Sequence, residues 1–159
     1  METRKPIKRN KAIAPLSRDH HDGLLLCWKI RFGIKNEVDA KRIGNYVQYF
    51  WVSHLQEHFR KEEVHLFTLL PEQNEKRVEA LMQHKDISEL IQQTANQPNY
   101  IILSKLAADL ESHIRFEERD LFNLIQESVD EATINQLEVL LSDDNRAKEN
   151  WNDIFWGKK

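Results

Sequence analysis

At 159 residues, with 40% apolar and 31% charged side chains, the chain has material for one hydrophobic core and fits one domain. Four Gly and four Pro are too few for a turn-rich sandwich or barrel, and a single cysteine, Cys27, excludes an intrachain disulfide framework. The net charge of −3 is too mild to imply a polyanionic partner, and no run approaches the ~18 apolar residues of a membrane span, so neither nucleic acid nor membrane is expected.

Basic residues crowd the start of the chain (Arg4, Lys5, Lys8, Arg9, Lys11) with no apolar stretch behind them. This predicts a solvated, partly ordered tail over 1–15 rather than a secretory signal. With one thiol, it points to a cytoplasmic setting. Ser17 is placed to N-cap a first helix reaching Gly33, with Asn36 as its breaker. A second helix is expected from Asp39 to just before Pro71, because proline disfavours α conformation at the residue preceding it. Gly44 inside it marks a close helix contact or a bend. A third helix is expected over 75–95, a turn at Asn96-Gln97-Pro98-Asn99, and a fourth helix over 100–128. Asp130 or Thr133 should open a short helix through Leu141, and Trp151, Phe155 and Trp156 should dock the tail back on the body. Short connections make neighbouring helices antiparallel. The expected architecture is all-α: an up-down four-helix bundle over 16–128 with a helical extension over 129–159.

An internal repeat carries the chemistry. The segments LQEHFRKEEVHLFTLLPE from Leu55 and LESHIRFEERDLFNLIQE from Leu110 lie 55 positions apart, and about half their positions are identical. Helical patterning alone would reproduce the apolar positions, but not a His-x-x-x-Glu followed by a further Glu. Each helical residue advances by about 100°, so Glu62 lies about 40° from His58 while Glu63 lies about 140° away and should face outward. The same arithmetic aims His113 and Glu117 inward and turns Glu118 away.

Two buried carboxylates without a positive partner would cost several kcal/mol each. Arg and Lys are scarce on these faces, whereas imidazole and carboxylate together suit Fe, Mn or Zn. The remaining helices each offer a histidine. His84 shares its face with Ala80, Leu81, Ile87 and Ile91; on the first helix Leu16, Leu24 and Cys27 flank His20, which favours it over His21. Two glutamates able to bridge and four histidines able to split between two ions imply a dinuclear site.

These residues resemble the hemerythrin-like family, in its HHE cation-binding subgroup. The matching pieces are Leu16-Ser-Arg-Asp-His20, His58-x-x-x-Glu62-Glu63 with Leu66-Phe67, Leu81-x-x-His84-x-x-Ile87, and His113-x-x-x-Glu117-Glu118 with Leu121-Phe122. The resemblance spans residues 16–127. It implies a four-helix bundle holding a non-haem di-iron centre, bridged by two carboxylates and an oxo or hydroxo group, with Zn or Mn as substitutes. The implied ligands are His20, His58, Glu62, His84, His113 and Glu117. It also implies a small diatomic ligand or a peroxide as partner, in sensing, binding, iron handling or repair.

The oxygen carriers of the family place a second histidine one turn after the first on the third helix. Here that position is Ser88, which implies a more open centre and argues against reversible O2 carriage. An oxidase- or peroxidase-like enzyme and a bundle with a purely structural metal are the alternatives. The repeat also pairs His54 with Asp109 and His65 with Asp120, all within about 40° of their metal-facing histidine. Three readings are open: a carboxylate, Asp109 or Asp120, accepts the free ring N–H of a ligand or pairs with His54 or His65; His54 or His65 takes the place left by Ser88; or the four line the bundle end as ordinary polar residues. Cys27, two turns beyond His20, is either a redox thiol or a small core residue. Phe59 and Phe116, next to the ligands, should keep water out.

Overall fold

The computed structural model describes residues 8–142 and 148–157. Arg4 and Lys5 of the expected basic tail lie outside the described residues. Within them the chain is all-helical, with no strand. Four long helices, α1 (Ala14–Lys35), α2 (40–69), α3 (Glu75–Asn96) and α4 (100–128), are followed by a short α5 (Glu131–Asn135). No helix among the described residues is long and apolar enough to cross a membrane.

Local chemistry sets the helix starts. Asp39 accepts from Lys41 N, Asn74 from Lys76 N and Arg77 N, and Asn99 from Ile102 N, each satisfying amides that have no partner inside the helix. α1 departs from expectation: it starts three residues before Ser17, without a side-chain cap. Pro15 suits this first turn because its missing N–H is not needed there and its φ is already helical. The carbonyl of Asn10, which accepts from Ile13 N and Ala14 N, leads the chain in.

α2 and α4 are not uniform. Wide turns closing i→i+5 bonds occur at Trp51–Leu55 and Glu62–Leu66 in α2, and at Glu117–Leu121 in α4. The last two sit at equivalent places in the internal repeat, each opening at the inward glutamate. α2 then tightens into a 3₁₀ turn at Phe67–Leu69 and ends where Leu70 extends before Pro71.

Packing fixes the topology. One apolar cluster contains Leu26, Ile30, Val47, Phe59, Ile87, Ile91, Leu106 and Leu110; a second contains Leu16, Leu66, Phe67, Ala80, Leu121 and Phe122. Along the chain α1 runs from the second cluster to the first, α2 returns, α3 repeats α1 and α4 repeats α2. This is the up-down-up-down order of a bundle, and His20, His58, Glu62, His84, His113 and Glu117 all fall where the two clusters meet. Two glycines allow the close approach. A Cβ on Gly23 would stand 2.8 Å from Ile114 Cδ1, and one on Gly44 would stand 3.1 Å from Thr94 Cγ2, so Gly44 marks a helix contact.

The ends of the chain differ from expectation. α5 stops at Asn135 and the chain continues in turns to Leu141, with no α-helix among the described residues after it. Ile134 and Leu141 reach the core while Val139 and Leu140 point outward, so no continuous apolar face exists to hold a longer helix. Trp151, Phe155 and Trp156 surround Tyr46 with ring centroids 5.6, 6.0 and 4.7 Å away. Arg9 is no solvated tail residue: its guanidinium bonds Glu118 Oε2 at 3.1 Å, Asn123 Oδ1 at 3.0 Å and Gln126 Oε1 at 3.1 Å.

Replacing the Asn74 cap by alanine leaves the Lys76 and Arg77 amides short of an acceptor. Asn74→Ala should lower the unfolding free energy by about 1 kcal/mol in urea titrations, without altering metal content.

Candidate metal centre

The six inward side chains meet. His20 and His58 form one group with Glu62 and Glu117, and His84 and His113 form a second with the same two glutamates. In each group the donor atoms lie within 4.8 Å of one another. All six residues are buried, the two glutamates completely. His58 Nε2 stands 3.2 Å and His84 Nε2 3.1 Å from Glu62 Oε1, while His20 Nε2 stands 3.0 Å and His113 Nε2 2.8 Å from Glu117 Oε1. The carboxylates therefore occupy the middle of the bundle with two imidazoles on either side. His21, the alternative on α1, is exposed.

Every Nδ1 is tied to the neighbouring helix. His20 Nδ1 donates to Glu118 Oε1 on α4 at 3.0 Å, and His58 Nδ1 donates to Asp19 Oδ2 on α1 at 3.0 Å. His84 Nδ1 donates to Glu63 Oε2 on α2 at 2.8 Å, and His113 Nδ1 donates to Gln83 Oε1 on α3 at 2.7 Å. The four bonds form a closed ring around the bundle, each helix supplying the acceptor for the next one. A fixed Nδ1–H leaves Nε2 with a lone pair, aimed at the middle.

This ring corrects the sequence reading. Glu63 and Glu118 were expected to face away, and they are indeed partly exposed, at 41% and 27% of the side chain. From that flank they reach sideways to the adjacent helix. Asp109 does not serve His113; it pairs with Lys105 at 3.2 Å, one turn away on its own helix. His65 and Asp120 join neither group. Both lie inside the wide turns, which advance less than 100° per residue and carry them off the inward azimuth. His54 joins neither group either, and faces Asp19 and Asp22. Ser88 donates its hydroxyl to His84 O at 2.8 Å.

Asp19, Gln83 and Arg9 were missed. Asp19 and Gln83 each precede an inward histidine directly, which is the one signal the sequence held for them. Arg9 sits over the Phe122 ring and grips Glu118, so it braces the acceptor of His20.

The donor set fits a metal. The Nε2 atoms of His58, His84 and His113, both oxygens of Glu62 and Oε2 of Glu117 are shielded from solvent with no hydrogen-bond partner. Lone pairs facing carboxylate oxygens at such distances repel unless a cation lies between them. Protons fill that role in the metal-free centre. Burial pulls His20 down, but Glu117 and Glu118 more than offset it and raise it to about 9. His84 is likewise lowered by burial and raised by Glu62 and Glu63, to about 9. Burial and the charge of Glu117 push Glu62 up. Burial would also raise Glu117, but His113 and His20 hold it well below the usual carboxylate range.

Aromatic faces close the centre. Phe59 stacks on His84 with centroids 3.8 Å apart, and Phe122 stacks on His20 at 5.3 Å. Cys27 belongs to the apolar core: its thiol donates to Ala107 O at 3.3 Å, and burial pushes it up to about 12. It is therefore a packing residue, not a reactive thiolate.

Residues 18–125 match the family model of the hemerythrin HHE cation binding domain. That covers well over half of the chain, and the chain belongs to this family. Among curated proteins and among solved structures no match is found.

Two predictions follow the geometry. Glu63 is partly exposed and its role is to hold His84, so Glu63→Ala should weaken metal binding by about 10–100-fold while the metal-free chain stays helical by circular dichroism. In that metal-free chain, the raised His20 and His84 stabilise the fold fully below the unfolded value of about 6.5, and this contribution is lost as pH rises through about 9. Its melting temperature should fall between about pH 7 and pH 10. The metal-loaded chain should not follow, because ions there replace the protons.

Proposed function

We propose that the chain holds a non-haem dinuclear iron centre that meets O2, NO or a peroxide, in sensing, binding or iron handling. In this reading His20, His58, Glu62, His84, His113 and Glu117 would hold the two ions, with Glu62 and Glu117 common to both groups of donors. The observation that carries it is the convergence of six buried imidazole and carboxylate side chains from four helices, those of α2, α3 and α4 bearing atoms with no hydrogen-bond partner. Imidazole with carboxylate suits Fe, and Zn and Mn compete for the same donors. A bound iron pair would supply redox chemistry and Lewis-acid binding of a small ligand.

The chain's own residues define what such a centre can do. The ring of Nδ1 bonds holds the four imidazoles in the tautomer that binds metal. Phe59 and Phe122 lay apolar faces against His84 and His20, which limits water. Ser88 offers no imidazole where the oxygen carriers of the family place one, which supports an open position for a small ligand. A surface hollow is lined by Ser88, Phe59, Glu63 and Trp51.

Anaerobic reconstitution with Fe²⁺ should give about two iron atoms per chain and a visible absorption that changes on exposure to O2 or NO. Glu62→Gln and Glu117→Gln, each removing a shared carboxylate charge, should drop the iron content below two. A chain that retains no iron, or iron inert to both gases, would refute the reading.

A further inference from the structure

Among the described residues, one more group of side chains able to hold a metal lies outside the six. Asp19, Asp22 and His54 place Asp19 Oδ1, Asp22 Oδ2 and His54 Nε2 within 4.8 Å of one another. His54 Nε2 is shielded from solvent and has no hydrogen-bond partner, although the side chain is 12% exposed. Asp19 Oδ1 and Asp22 Oδ2 each stand 3.8 Å from it. That is too long for a hydrogen bond. It is the spacing of donors that share an ion: atoms bonded at about 2.1 Å sit about 3.0–3.8 Å apart, depending on the angle between them.

The surroundings favour a cation. Two carboxylates face one imidazole, and burial, partly offset by Asp19, holds that imidazole below its ordinary value, so its lone pair is free. Asp22 and His54 line a hollow of about 340 Å³ that opens to solvent, which leaves room for water on an ion. Two lysines, Lys29 and Lys148, line the same hollow. Lys29 is committed to Tyr46 Oη at 2.7 Å and to Glu149 at 3.7 Å. On its inner side the group is joined to the centre, since Asp19 uses Oδ2 to accept from His58 Nδ1. The two oxygens of one carboxylate thus face two different sites.

We propose that Asp19, Asp22 and His54 form an outer site for a divalent transition-metal ion, completed by water, through which metal is handed to the buried centre. Binding at this outer site does not depend on the function proposed above; the hand-over does.

The test uses the full chain, Asp22→Asn and His54→Ala. Neither substitution replaces one of the six inward residues or Asp19. Zn²⁺ binding by equilibrium dialysis with metal analysis should give three equivalents for the unaltered chain, and two for each variant. Under anaerobic conditions, Fe²⁺ loading of the variants should slow by about tenfold or more while reaching the same final inner content. If the variants bind as many equivalents as the unaltered chain, the outer site is refuted. Loss of the third equivalent with unchanged loading rate would refute the hand-over. A chain that binds one equivalent, lost in Asp22→Asn, would uphold the outer site and refute the dinuclear centre.

Discussion

The centre depends on four hydrogen bonds that close a ring around the bundle. Each imidazole points its Nε2 at the middle only because its Nδ1 is committed sideways, to Glu118, Asp19, Glu63 or Gln83. No helix orients its own histidine. The helix before it does, and α4 does so for α1. Six buried polar side chains would otherwise be a liability in a bundle core. The ring turns them into a directed donor set, and the two shared glutamates make a cation necessary.

The apolar frame is divided to suit this. One cluster fills each side of the donor set, and all four long helices cross from one cluster to the other at their inward histidine. Phe59 belongs to one cluster and Phe122 to the other, and each ring stacks on a histidine at the boundary. Packing therefore reaches the centre without an intervening polar layer. The wide turns opening at Glu62 and Glu117 are part of the same arrangement. They lie where the repeat keeps its paired glutamates, and a local change of helical pitch lets Glu62 sit inside while Glu63 reaches α3.

What was readable in the sequence follows from helical geometry. His58 with Glu62 and His113 with Glu117 span ordinary α-helix, so the 100° rule places them correctly relative to each other. Low Gly and Pro content, the start near Asp39 and the stop at Pro71 made the bundle and most of its ends legible. The acceptors of the ring were not readable in this way. They act across helices, and a single-helix azimuth says nothing about which neighbour a flanking side chain can reach. Glu63 and Glu118 were visible in the repeat but read as outward. His65 failed because the pitch changes before it. Arg9 was hidden in a basic run that resembles a solvated tail, although its partner Glu118 lies 109 positions away.

The ring also governs how the chain becomes competent. Its bonds join residues 98, 39, 21 and 30 positions apart, so none is local. Both donor groups draw Glu62 from α2 and Glu117 from α4, and His20 waits for Glu118. No half-centre can therefore form on a partial chain. During synthesis α1 carries an unsatisfied histidine until the last long helix arrives. Assembly of the donor set is then a late, all-or-none event that follows loop closure across nearly the whole bundle.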